Sequence, residues 1–409
     1  METPAGAIAP SAPFLGASSG AFYPTPTERA PALAARLGLS DLEIMLQTAG
    51  EYAPRFARRL ATACDGEGRR VHAVHLWQQL HPLLSPYARR AREGRVAFER
   101  AIEVARTLSA AVLVWHGPTP AELAVPDGRS RFADAAGTLG ARCGEAGIRL
   151  AIENVSWCAL AQAREVAAFA TRTSGLDSAA RPGFVFDPFQ AAEAGANPFL
   201  ILASMGDRLV DVHLSDRSAD DPTARHLPPG DGDLPWAALL RAIVGTGYRG
   251  PLMIEAPLDP DGITLARVRA RLDPLLAALV AGGDGRDGAP PPGVVEGIAL
   301  FNARRFYDAH EAIELEWHAE RGDRRRLYQG ILQIGVGFHH VLGGNHRGAV
   351  LLLTDGIAKV SRFVPRCLGL DTGRLVTESA ACLAVIEDLG PDGLGRFDPE
   401  TIPMVHAAA

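Results

Sequence analysis

Along the first 280 residues, short apolar runs alternate with longer stretches whose apolar positions recur at helical spacing. This pattern predicts repeated strand and helix units on a parallel sheet. The runs that read as strands cover residues 13–18, 42–46, 70–76, 111–116, 149–155, 183–187, 209–214 and 251–255. Between most of them lie helix-length segments, such as R-V-A-F-E-R-A-I-E-V-A-R-T-L at 95–108 and F-A-D-A-A-G-T-L-G-A-R-C-G-E-A-G at 132–147. Only the first two strands lack a strong helix signal between them. Eight such units in about 250 residues is the count and size of a (β/α)8 TIM barrel.

The periodicity stops at A-G-G-D-G-R-D-G-A-P-P-P-G, residues 281–293, where glycine, aspartate and proline favour a linker. Beyond it every segment reads as helix. The expected organisation is therefore a barrel over 1–280, a linker over 281–293 and a small all-α helical bundle over 294–409.

Charge narrows the partners. The 41 basic and 47 acidic residues are mixed along the chain, for a net charge of -6, with no basic stripe of the kind nucleic acid requires. No apolar run reaches the length of a membrane span. The five cysteines lie far apart with no C-x-x-C pair, and no basic segment followed by an apolar stretch opens the chain. That combination predicts a reduced, cytoplasmic protein.

Several predicted strands deliver a polar side chain to their C-terminal ends, where the active site of such a barrel forms. Strand five carries Glu153 and Asn154, strand six ends at Asp187, strand seven carries His213 in L-V-D-V-H-L-S-D-R, and strand eight ends at Glu255. Their spacings of 34, 26 and 42 residues are each about one strand–helix unit, so closing the barrel would gather them round one axis. Three carboxylates and an imidazole make a mostly hard-oxygen site, suited to one divalent cation, Mn(II), Mg(II) or Co(II) before zinc. A lone histidine on an apolar strand is more often a hydrogen-bonded core residue than a ligand; the inference rests on the set, since carboxylates are rarely buried without a partner.

The segments L-A-I-E-N, F-V-F-D and V-D-V-H-L-S-D-R, together with R-H-L-P-P-G-D-G-D-L-P-W (225–236) and G-Y-R-G-P-L-M-I-E (247–255), resemble the xylose isomerase-like barrel superfamily. That superfamily includes sugar epimerases, inosose dehydratases and the AP endonuclease of the endonuclease IV type. The resemblance implies that Glu153, Asp187, His213 and Glu255 hold one divalent cation, with Glu153 and Glu255 also serving as the acid/base pair. It makes His75, His116, Gln190, Arg217 and His226 candidates for substrate contacts. His72 competes with His75, because residues three apart on a regular strand point to opposite faces, and His75 is preferred. Two departures matter: Gln190 stands where family epimerases have a histidine, and Ala224-Arg225-His226 replaces the nuclease's Asp-x-His. Both argue against AP endonuclease activity. Arg217 is equally open to a rim salt bridge with Asp216 or Asp220.

In the helical part, L-F-N-A-R-R-F-Y-D-A-H-E-A-I-E-L-E-W and L-Y-Q-G-I-L-Q-I-G-V-G-F-H-H resemble the domain of unknown function 309 family, which implies a fold but no activity. His310 and Glu314 share a helix face, and with His340 they form a candidate second site, set against a hydrogen-bonded polar core. The H-E-A-I-E string lacks the second histidine of the zinc protease motif. Asn302 and Asn345 read as a helix end and a turn.

These readings predict a metal-dependent isomerase or epimerase acting on a sugar, sugar phosphate or polyol by proton transfer next to a carbonyl. An inosose-type dehydratase on the same site, or a regulatory protein that binds metal or sugar without turnover, are the alternatives. The helical region is expected to cap the barrel mouth, pair two copies of the chain as a homo-oligomer, or take a second ligand.

Overall fold

The computed structural model describes residues 12–77, 81–221, 223–280 and 288–408. Among them, eight parallel strands close a barrel in sequence order: β1 (Phe14–Ser18), β2 (Asp41–Met45), β3 (Arg70–His75), β4 (Val112–Trp115), β5 (Arg149–Glu153), β6 (Gly183–Phe186), β7 (Leu209–Leu214) and β8 (Pro251–Ile254). Pairing of Phe14 through Ala17 with Pro251 through Ile254 seals the ring. Each strand is a nearly continuous apolar run because both its faces are covered, one by the barrel interior and one by the outer helices. The helix Ala88–Thr107, for example, turns Phe98, Ala101, Ile102 and Ala105 onto that wall. The predicted strands agree to within two residues at each end, and the gap after β1 holds only the short helix Ala30–Arg36 and two single turns.

One irregularity corrects the choice between His72 and His75. The register of β2 against β3 slips between Leu42, paired with Val71, and Glu43, paired with Ala73, so His72 is an extra residue. A bulge of this kind resets the pleat. His75 reaches the mouth cluster, and His72 also points inward: its Nε2 lies 3.2 Å from Val210 O and 3.7 Å from Asp211 Oδ1 on β7, across the barrel.

Of the predicted linker, 281–287 lie outside the described residues, and 292–293 already belong to the helix Pro292–Asn302. Four more helices follow, Phe306–Ala319, Arg324–Leu342, His346–Val360 and Thr372–Gly393. Asn302 closes its helix and grips the chain end, exchanging hydrogen bonds with Val405 N and O. Asn345 caps the helix His346–Val360, accepting from Gly348 N. This region docks on the barrel's outer wall, against the helices Ala163–Arg172, Pro198–Met205 and Trp236–Gly245, which corrects the expectation of a cap over the mouth. No helix among the described residues is long and apolar enough to cross a membrane.

Candidate metal centre

Each polar side chain at the mouth is placed by the end of an apolar strand. Glu153 is the last residue of β5, Asp187 and Glu255 directly follow β6 and β8, and His213 is the fifth residue of β7. Their ligand-type atoms all lie within 4.8 Å of one another. Glu153, Asp187 and His213 are buried, and only a tenth of the Glu255 side chain is exposed. Asn154 bolts two of these strand ends together, since its amide donates to Asp187 O and accepts from Asp187 N, both at 2.8 Å.

The hydrogen bonds leave specific atoms free. Asp187 Oδ1 accepts from Gln190 N as the N-cap of the following helix, whereas Asp187 Oδ2 and Glu255 Oε1 are buried with no hydrogen-bond partner. His213 Nδ1 sits 3.3 Å from Glu153 Oε1 and 3.4 Å from Glu255 Oε1. Buried carboxylate oxygens left bare are costly, so the donor set fits a divalent cation whose hard-oxygen ligands these would be.

The electrostatics express the same crowding. Burial, reinforced by Glu153 and Glu43, pushes Glu255 up to about 7. Burial with Glu153 and Glu255 nearby raises Asp187 well above the usual carboxylate range. For Glu153, burial acts in the opposite direction but is outweighed by His213, His116 and His75, which hold its carboxyl well below that range.

A second cluster abuts the first. His75 Nε2 and His116 Nε2 each lie 3.2 Å from Glu153 Oε2 and 3.1 Å from each other. His75 Nδ1 donates to Leu76 O, so a neutral His75 would aim a lone pair at the carboxylate. A proton answers this: against the effect of burial, Glu153, Glu43 and Glu255 push His75 up to about 9. His75, His116 and Glu153 also satisfy the spacing of a cation site.

The other candidates are placed differently. Gln190 Oε1 accepts from Ser156 N and ties the loops after β5 and β6 together. Arg217 bonds Ala192 O and faces Glu193 at 3.7 Å, so its rim salt bridge is with neither Asp216 nor Asp220. His226 stacks on Phe189 and meets Ser215 Oγ through Nδ1. In the helical region, Glu314 lies 3.9 Å from His310 and 3.7 Å from His318, while His340 bonds Asn345. The His310, Glu314 and His340 set is thus not assembled, and every cation-type cluster among the described residues lies in the barrel.

Three participants escaped the sequence reading. Glu43 on β2 is fully buried against His213, with Oε2 3.0 Å from Nε2. Asp211, also buried, lies below it on β7. Trp157, 45% exposed after β5, sets its ring 5.7 Å from that of His116. Strand alternation could have found Asp211, two residues before His213; Glu43 sits inside an apolar run rather than at its end.

A closed parallel barrel with a carboxylate and histidine cluster at its carboxyl mouth defines a class of (β/α)8 proteins with a cation-type centre. This chain belongs to the xylose isomerase-like TIM barrel family, whose model matches residues 31–275, and residues 294–352 match the domain of unknown function DUF309. An uncharacterised protein of Mycobacterium leprae is 26% identical over 259 residues, 59% of this chain and 88% of that one. The 3-dehydroshikimate dehydratase of Pseudomonas putida is 30% identical over 139 residues, 32% of this chain and 21% of the dehydratase. Less than a third of the length of several curated relatives is covered in this way. The solved structure of a D-tagatose 3-epimerase-like protein superposes with a TM-score of 0.54 at 19% identity, over 66% of this chain and 99% of that one. At that identity the likeness is one of fold.

Proposed function

We propose that the barrel is a divalent-cation-dependent isomerase or epimerase of a sugar, sugar phosphate or related polyol, working by proton transfer next to a carbonyl. The observation that carries this reading is the convergence of Glu153, Asp187, His213 and Glu255, whose ligand-type atoms lie within 4.8 Å of one another, with Asp187 Oδ2 buried and without a hydrogen-bond partner. A cation held by these four residues would polarise a substrate carbonyl and acidify the neighbouring C–H. Glu255, through the carboxylate oxygen not given to the cation, would take the proton from that carbon, with the C–H electron pair moving toward the carbonyl oxygen to give an enediolate. Glu153 is kept ionised by His213, His116 and His75. The proton that His75 holds against its Oε2 would be relayed through it to the carbon from the other side of the centre, and Glu255 would release the proton it took to solvent. His116 and His226 would contact the substrate, and the exposed indole of Trp157, packed on His116, would offer an apolar face to the C–H side of a polyol.

In heavy water, the Mn(II)-loaded protein is expected to wash deuterium into one member of a panel of ketoses and inososes. Glu255→Gln should slow this by about 100-fold or more. Exchange accompanied by loss of water would identify a dehydratase, the activity named for the Pseudomonas putida relative. A loaded protein that exchanges with none of them is a binding protein.

One observation favours a second reading. The nitrogens of His75 and His116 converge on Glu153 Oε2, so Glu153 could bridge two cations and direct the site toward water activation. Metal analysis separates the two: one ion per chain supports the isomerase reading, two support this one, and none removes both.

A further inference from the structure

We propose that Glu43 is the positioning residue for His213, fixing which ring nitrogen faces the cation; the inference rests on the four-residue centre described above. A neutral imidazole carries one proton. His213 Nδ1 faces Glu153 and Glu255, and its lone pair is needed there if the four residues share a cation. The proton then belongs on Nε2, where Glu43 Oε2 accepts it at 3.0 Å. The opposite tautomer would turn the Nε2 lone pair onto the Glu43 carboxylate, with Asp211 in the same cluster.

Glu43, Asp211 and His213 also have the spacing of a cation site, but the one hydrogen bond that the Glu43 side chain makes among the described residues is to His213. Glu43 Oε1 is buried without a hydrogen-bond partner, and the residue is fully buried between Leu42 and Ile44. Barrel interiors are filled by branched apolar side chains, and a carboxylate in that layer is costly unless paired. Packing alone would place leucine or methionine here. The carboxylate makes sense as the outer partner that orients a ligating histidine and raises its basicity.

Co(II) titration of the wild type, Glu43→Gln and Glu43→Met, followed by calorimetry and visible absorption, tests this. Gln keeps an acceptor and should bind within a few-fold of wild type. Met fills the volume without an acceptor and should bind about 10- to 100-fold more weakly, with a shifted Co(II) band. Wild-type affinity in Glu43→Met overturns the inference. A wild type that binds no cation overturns the metal-centre reading instead. Should Glu43→Met not fold, 15N-histidine spectra of the Zn(II)-loaded wild type decide, with His213→Gln for assignment: a proton on Nε2 supports the inference and one on Nδ1 overturns it.

Discussion

His81 carries an imidazole that the mouth does not use. Tyr52 Oη accepts from Trp77 N and meets His81 Nε2 at 3.0 Å, where a neutral ring can accept the phenolic proton. Burial lowers its pKa to about 4. As the pH falls below the ordinary value near 6.5, the unfolded chain takes up a proton that the folded one refuses until about pH 4. The stability contributed is therefore complete above pH 6.5 and lost across the window down to 4, by on the order of 3 kcal/mol. Urea denaturation across that window should show His81→Leu losing less stability than wild type on acidification; equal slopes would refute the assignment. The same residue-level chemistry decides what the sequence could reveal. Glu153, Asp187, His213 and Glu255 stand out because charged or titratable groups close apolar runs, whereas Glu43 lies inside one and gains meaning only from an imidazole 170 residues away.

At the scale of elements, strands were legible because a parallel barrel buries both faces of each, leaving short apolar runs with polar punctuation. What the pleat rule could not foresee is the slip at His72, because a bulge depends on the partner strand. The run 225–236 was recognisable as a pattern, and the structure explains its spacing. Asp216 accepts from Arg217 N, Gly230 N, Leu234 N and Trp236 Nε1, cinching the loop into a knot beside β7. Gly232 lies on the inside of that knot, where a Cβ would press on the Arg217 carbonyl and the Asp216 carboxylate. Gly232→Ala is expected to cost on the order of 1–3 kcal/mol and to shift the fluorescence of Trp236, whose indole bond to Asp216 is among those disturbed. An unchanged midpoint and emission would mean that the loop tolerates a side chain there. Gln190 and Arg217 belong to this scale as well: each reads as a substrate contact from its position, and each also ties neighbouring segments together, Gln190 through Oε1 and Arg217 through one guanidinium nitrogen.

In the whole molecule, the helical region and the barrel share one buried apolar cluster, in which Phe199, Ile243, Phe363 and Val364 all take part. Arg241 donates to Arg362 O, and the Arg362 guanidinium lies over the ring of Phe199. A contact of this character couples the two parts more firmly than a polar, transient interface would. One close approach is at Gly245, the last residue of the helix Trp236–Gly245: a Cβ there would stand 2.8 Å from Val364 Cγ2 and 3.3 Å from Pro365 N. Neither neighbour can yield easily, one being a branched side chain and the other backbone. Gly245→Val should therefore pry the helical region from the wall without touching the mouth. Scanning calorimetry is expected to show one cooperative transition for the wild type and two separated, lower ones for Gly245→Val, with Co(II) affinity at the mouth unchanged. A single transition at the wild-type temperature would show that the two parts do not depend on this contact. A matching loss of cation affinity would show that docking on the wall is transmitted through β7 and β8 to the centre they carry.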